Sequence, residues 1–201
     1  MSQFDFEPPR PAAQPAFNLP PVIVWLGGII VAIFILQNTV LPTTWNNWII
    51  IHFAFWPVRY EPGLFATGLA PGGLAVDIWS FVTYAFLHGG IGHLAFNMLW
   101  MAIFGSAVAR RFGTLRFLLL SVLCAIGGAV AHLLTHPGET APMIGASAAI
   151  SGHMAAALRF VFELGGPLGA IRRSDQAAYH VPAAPLMASL ANRQVAGFMA
   201  V

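Results

Sequence analysis

The feature that most constrains this chain is its shortage of charged side chains. Only 8% of the 201 residues are Asp, Glu, Lys or Arg, whereas 58% are hydrophobic. None of the four charged types occurs between Asp77 and Arg110. An ordinary soluble domain carries about 25% charged residues, and a disordered chain combines low hydrophobicity with high charge. The composition therefore indicates an integral membrane protein.

The same composition excludes several classes of function. The net charge of +2 leaves no broad basic face for nucleic acid. Cys124 is the single cysteine, so we expect neither a disulfide framework nor a cysteine metal cluster. We predict no metal and no cofactor, and a lipid bilayer as the surrounding medium. The sequence does not indicate the oligomeric state.

Long apolar runs predict an all-α bundle with about four complete transmembrane helices and the start of a fifth. Residues 1–20 are rich in proline and predict an extended cytoplasmic tail. Residues 21–201 form the predicted membrane domain, which includes an irregular interfacial loop over 42–79 that is rich in tryptophan and in Pro-Gly turns. The helices are predicted over 21–41, 92–109, 117–134 and 146–164, with a new apolar run from Val195.

The arginines predict the orientation of these helices. One group, within 110–116, follows the second helix, and another, within 172–193, follows the fourth helix. The opposite loops contain only Arg59. Because Lys and Arg are enriched in cytoplasmic loops, the N-terminus is predicted to be cytoplasmic. Helices two and four would then run inward from the external side.

The second predicted helix carries two polar side chains in apolar surroundings. His93 and Asn97 are spaced so that they share one helix face. Polar groups at membrane depth usually face the bundle interior or a wet cavity. For this pair alone, a hydrogen bond between helices is the simpler interpretation. His88, which precedes the glycines, is interpreted as a local packing or loop-anchoring residue.

Ser147 lies at or near the start of the fourth predicted helix, after Gly145. The free backbone N–H groups and the positive dipole end found there would stabilise an oxyanion on a carbonyl that Ser147 attacks. Taken alone, the segment is more simply a serine N-cap followed by a stripe of small packing residues that includes Gly152. Ala149 occupies the last glycine position of the strict nucleophile elbow, which is therefore not met.

The two features gain weight together because helices two and four run in the same direction. His93, Asn97 and Ser147 would then lie at a similar level. Arg159 lies about 18 Å beyond Ser147 along a helix, so a cytoplasmic Arg159 places Ser147 below the external surface. Irregular backbone at that depth is tolerated only inside protein or beside a water-filled cavity. These residues therefore predict a hydrolytic site.

Residues 88–100 (HGGIGHLAFNMLW) and 145–147 (GAS) resemble the corresponding motifs of the rhomboid intramembrane serine proteases. The resemblance is close from Trp79 to Gly152, and the helical layout extends it over the chain from Pro21 onward. It implies a six-helix membrane core in a bacterial inner membrane. It also implies substrates that are single-pass membrane proteins, cut within or beside their transmembrane segments.

The resemblance also implies the roles of individual residues. Ser147 would be the nucleophile of a Ser–His dyad. His93 and Asn97 would form the oxyanion hole together with the backbone N–H of Ser147. Residues 42–79 would form the membrane-embedded first loop.

The sequence departs from the family pattern at three points. Ala148 replaces the glycine that usually follows the nucleophile, a change that helical φ and ψ angles tolerate. Ser80 stands where many members have arginine. The family's catalytic histidine lies on the sixth helix, which is not reached before Val201. We therefore expect the general base to lie beyond Val201, and a polypeptide of exactly this length to be inactive.

No histidine of this sequence is assigned as the general base. His132 lies near the external end of the third predicted helix, and its proximity to Ser147 is left open. His153 is predicted to lie on a largely different face of the helix from Ser147. His52, His136 and His180 are predicted to lie in loops. A serine hydroxyl without a base is a weak nucleophile.

Two other functions stay open at this point. One is a catalytically inactive rhomboid-like protein that binds client helices. The missing histidine favours it, whereas the set of His93, Asn97 and Ser147 argues against it. The other is a metal or proton transporter that uses the intramembrane histidines His88, His93 and His132. No carboxylate lies within the predicted helix cores to couple with them.

Overall fold

The computed structural model of the chain describes residues 18–68, 70–169 and 176–199. The predicted all-α class is confirmed for these residues. Most of the predicted tail over 1–20 lies outside them. The helices are α1 (Pro21–Ile35), α2 (Thr43–Phe53), α3 (Pro62–Thr67), α4 (Gly73–Thr83), α5 (Ile91–Trp100), α6 (Ser106–Thr135), α7 (Ser147–Val161), α8 (Leu186–Ala191) and α9 (Arg193–Met199).

Two helical stretches are long and apolar enough to cross a membrane, namely 21–40 and 91–135. The first consists of α1 and a terminal π-helical turn, Leu36–Val40. Polar side chains close this end, because the Gln37 amide donates to Asn46 Oδ1 at 2.9 Å and the Thr39 hydroxyl donates to a carbonyl of the preceding turn. The predicted first helix, with its polar end, is therefore present.

The second stretch, which comprises α5, a π-helical turn and α6, is divided at Gly113. This residue leaves helical geometry, with φ 78° and ψ 169°, in the left-handed region that glycine tolerates. The Phe117 ring lies against Gly105, 3.5 Å from the place of a Cβ, although the two positions would be about 18 Å apart on one straight helix. The chain therefore reverses at Gly113, within the predicted break between helices two and three.

Helices α6 and α7 pack closely through small residues. Ala148 contacts Gly128, and Cys124 contacts Gly152, so closely that a Cβ on either glycine would overlap its neighbour. Residue numbers rise along α7 as they fall along α6, so the two helices are antiparallel. We call Cys124, Gly128, Ala148 and Gly152 the seam. Close approach through such residues is typical of helix packing in membranes.

The predicted irregular structure of residues 42–79 is wrong, because most of this segment is helical. It contains α2, a 3₁₀ turn over Pro57–Tyr60, α3 and the first part of α4. The Trp79 indole donates to the His52 carbonyl at 2.7 Å and so ties α4 to α2. Proline and glycine here separate short helices rather than prevent them. The interfacial position of the loop stays a prediction.

Arginines gather at the end of the bundle opposite Ser147. Arg111 donates through Nη1 to the carbonyls of Tyr179 and Val181, at 2.7 and 2.8 Å. Arg159, near the end of α7, donates to the Ala184 carbonyl at 3.0 Å. The two arginine-bearing segments therefore meet at one end, as the predicted orientation requires. The short helix α8 follows, and then α9, which includes the start of the predicted fifth apolar run at Val195.

Candidate active site

Ser147 is the first residue of α7, as predicted, and its side chain is exposed. The N-cap position belongs to Ala146, and no side chain caps the helix. The N-cap interpretation of Ser147 is therefore wrong, and its hydroxyl forms no hydrogen bond with the described residues. The first backbone N–H groups of a helix lack intrahelical partners and carry partial positive charge. Ser147 thus presents a free hydroxyl beside electropositive donors.

Gly145 allows His93 to lie against the turn that precedes Ser147. Its φ of 117° belongs to a region that L-residues rarely adopt. A Cβ at Gly145 would also lie 2.6 Å from both Cε1 and Nε2 of His93. The imidazole edge therefore rests on the glycine backbone, two positions before the serine. Two independent constraints, conformation and space, require glycine here.

Asn97 lies one turn further along α5 and is 5% exposed. Its side-chain amide donates to the His93 carbonyl at 2.8 Å. A carboxamide nitrogen has two N–H donors, so this local bond fixes the side chain and leaves a second donor. The structure therefore places the predicted polar pair on one helix face, with His93 exposed and Asn97 buried.

His88 is buried beside the site. Its ring centroid lies 5.0 Å from that of His93, with the two rings tilted by 56°. Burial, followed by the neighbouring His93, lowers the pKa of His88 to about 4. The imidazole is therefore neutral at pH 7, which suits the predicted packing role. Gly152 lies in the seam on α7, where its missing side chain makes room for Cys124.

Tyr84 holds the Ser147 turn in place, and the sequence reasoning missed it. Its carbonyl accepts the Gly145 N–H at 3.0 Å, and its hydroxyl donates to the Ala125 carbonyl on α6 at 2.9 Å. The side chain is only 1% exposed. A tyrosine within an uncharged segment was the available signal, because a buried tyrosine hydroxyl usually finds a partner.

The segment that leads to Ser147 also pairs with the first loop. Phe55 and Met143 exchange two backbone hydrogen bonds, of 3.1 and 2.8 Å, and the Val58 N–H donates to the Glu139 carbonyl at 3.1 Å. Phe55 is fully buried. We call residues 139–146 the approach segment. Neither residues 55–58 nor the approach segment has the alternating apolar and polar pattern of a strand. The sequence therefore carried no signal for this pairing.

His153 and His132 form their contacts with residues other than Ser147. His153 Nε2 lies 2.8 Å from the Ser121 hydroxyl, and its ring stacks on Phe117. The His132 ring stacks on that of His136. No hydrogen bond within the described residues joins a histidine to Ser147. The predicted separation of His153 from Ser147 is confirmed.

The arrangement combines three elements of acyl transfer chemistry. It has an exposed hydroxyl, unpaired N–H groups at a helix N-terminus, and an imidazole with a carboxamide on a neighbouring helix that starts at the same level. Such donors stabilise the oxyanion that forms when a hydroxyl attacks a carbonyl. Among the described residues, no group of three His, Cys, Asp or Glu side chains is placed to hold a metal ion.

A helical membrane bundle with this arrangement corresponds to the rhomboid class of protein. The family model for the rhomboid domain matches residues 75–171, from the start of α4 through α7. Residues 75–171 of the chain therefore form a rhomboid domain. The chain is accordingly an integral membrane protein, and its similar curated relatives are bacterial.

These relatives are themselves named as proteases. Rhomboid protease GlpG of Klebsiella pneumoniae is 30% identical over 110 residues, which cover 54% of this chain and 34% of that protein. Rhomboid protease GluP of Bacillus subtilis is 42% identical over 80 residues, which cover 40% of this chain and 15% of that protein. The matched part therefore spans about a third or less of the length of these relatives.

Proposed function

We propose that this chain forms part of an intramembrane serine endopeptidase that cleaves the transmembrane segments of membrane proteins. Ser147 is the proposed nucleophile, and His93 and Asn97 are the proposed oxyanion stabilisers. The observation that carries the proposal is the exposed, unbonded Ser147 at the N-terminus of α7, with the His93 ring lying on Gly145 just before it. The similarity to named rhomboid proteases supports the same reaction class.

In this proposal the Ser147 oxygen attacks the carbonyl carbon of the scissile peptide bond. The hydroxyl proton passes to a general base, and the negative charge develops on the carbonyl oxygen. The Ser147 N–H, His93 and Asn97 donate to that oxygen. Collapse of the intermediate breaks the C–N bond, and the base returns the proton to the leaving amine. Water then hydrolyses the acyl-enzyme by the same route.

The general base is proposed to be a histidine beyond Val201, as the resemblance implies. None of the seven histidines of this sequence is proposed as the general base. His93 is assigned to the oxyanion, and the contacts of His153 and His132 are made with other residues. The proposed substrates are single-pass membrane proteins. The proposed orientation has a cytoplasmic N-terminus and places Ser147 toward the external side, with the arginine-rich end inside.

The nucleophile is tested by labelling the full-length protein in nanodiscs with a fluorophosphonate probe. We expect Ser147→Ala to abolish labelling, since the probe needs an activated serine oxygen. Ser151→Ala is the matched control, because Ser151 is also exposed on α7, about one turn later, and it should label normally. Labelling that survives Ser147→Ala would overturn the assignment.

The oxyanion groups are tested by cleavage of a single-pass model substrate. Loss of one oxyanion donor typically lowers kcat by about 10²–10³-fold, so we expect His93→Ala and Asn97→Ala to do so with little change in KM. A full-length protein that binds the substrate helix but neither labels nor cleaves would instead favour the inactive, client-binding function.

A further inference from the structure

Arg59 and Asp77 form a buried ion pair between the first loop and α4. Both Nε and Nη2 of Arg59 lie 2.8 Å from Asp77 Oδ1, and the two side chains are 4% and 11% exposed. Removal of one partner from such a pair leaves an uncompensated buried charge, which strongly destabilises the contact. The pair therefore fixes where the 3₁₀ turn of the loop docks on α4.

Tyr60 adds a second anchor at the same place. Its hydroxyl donates to the Asp77 carbonyl at 2.6 Å and lies 3.2 Å from the hydroxyl of Ser80, which is fully buried. Burial raises the pKa of Tyr60 above its usual value of 10, so the phenol stays a donor at pH 7. The small side chain at position 80 thus accommodates this hydroxyl contact.

These anchors directly follow the part of the loop that pairs with the approach segment. Residues 55–58 exchange backbone hydrogen bonds with 139–143. At its other end, the approach segment is bonded through Gly145 to Tyr84, which follows the last residue of α4. The backbone before Ser147 is therefore held at two points by one unit, consisting of α4 and the loop docked on it.

We propose that Arg59 and Asp77 are positioning residues of the Ser147 site. Their ion pair holds residues 55–58 where these can pair with the approach segment, and the approach segment sets the direction in which Ser147 enters α7. Neither side chain touches substrate in this account. The expected effect on cleavage rests on the proposed function, whereas the effect on the approach segment does not.

The positioning role is tested by hydrogen–deuterium exchange of the full-length protein in nanodiscs. We expect Arg59→Ala and Asp77→Asn to accelerate exchange at least tenfold in peptides that cover 139–145. Peptides from the seam should be unchanged, because the seam does not contact the ion pair. Arg116→Ala serves as the control, since this arginine is exposed, and it should leave both regions unchanged.

Cleavage kinetics supply the second measurement. Arg59→Ala and Asp77→Asn should lower kcat at least tenfold with KM within twofold, and Arg59→Lys, which keeps the charge, should recover part of the loss. Unchanged exchange at 139–145 would overturn the proposal, as would equal acceleration throughout the protein. If Arg59→Ala does not fold, Asp77→Asn and Arg59→Lys decide the question. If the unsubstituted protein does not cleave, the proposed function fails, and the exchange result still decides the positioning role.

Discussion

The Ser147 turn is held on two sides by different kinds of contact. Toward α6, the seam brings the helices together through small residues such as Gly128 and Ala148, which are in close van der Waals contact. Toward α4 and the first loop, backbone hydrogen bonds from Met143 and Gly145 hold the turn. The packing against α6 should be disrupted when side-chain volume is added to the seam. The contact with α4 and the first loop should weaken when a hydrogen-bond donor is removed. Substitutions of the two kinds therefore report on different sides of one site.

The largest effect is expected where volume is added to the seam. Gly152→Val would place a branched side chain on Cys124 and should reduce the free energy of unfolding by about 3 kcal/mol, at the upper end for overpacked cores. Chemical unfolding in detergent micelles measures this change. Gly127→Ala is the matched control, because a Cβ at Gly127 would meet no neighbouring group within 4 Å. The better helix propensity of alanine should stabilise this variant by up to about 1 kcal/mol.

A Cys124→Ala background sharpens the test of the seam. If overlap with the sulfur is the cause, Gly152→Ala should cost measurably less stability in that background than in the unsubstituted protein. Equal costs in the two backgrounds would show that the overlap does not limit the packing of α6 against α7.

The next largest effect is expected at Gly145, where both sides meet. Gly145→Ala forces an L-residue to φ 117° and drives a methyl group into the His93 ring, at a cost of about 2 kcal/mol. Fluorophosphonate labelling of Ser147 should fall together with the free energy of unfolding. A His93→Ala background should relieve the steric part only, so a partial recovery of unfolding free energy is expected. Complete recovery would show that the strained backbone at position 145 does not contribute to the cost.

The smallest effect is expected from loss of the Tyr84 hydroxyl, which reaches from the end of α4 to α6. Tyr84→Phe removes the donor to the Ala125 carbonyl but keeps the backbone bond to Gly145, so we expect a loss of about 1 kcal/mol. Tyr179→Phe, at the other end of the bundle, should change unfolding by less than about 0.5 kcal/mol. Equal values for the two variants would show that the Tyr84 hydroxyl does not help to hold the turn.

Sequence reasoning predicted the parts of this molecule that have local signals. The apolar runs over 92–109 and 117–134 predicted the helices on either side of Gly113. Equal helix direction predicted that His93 and Ser147 lie at a similar level. The helices within 42–79 were missed because short helices depend on tertiary packing more than on their own propensity. The pairing of Phe55 with Met143 was missed because backbone bonds between distant segments leave no periodic pattern.

That pairing also bears on the order in which the protein is built. The ribosome synthesises Phe55 long before Met143, with α4, α5 and α6 between them. Contacts between distant segments pay a large loop-closure entropy and form slowly. The loop must therefore stay unpaired until α6 has been made and the approach segment follows. A nascent rhomboid of this kind would carry an unassembled serine site through most of its insertion into the membrane.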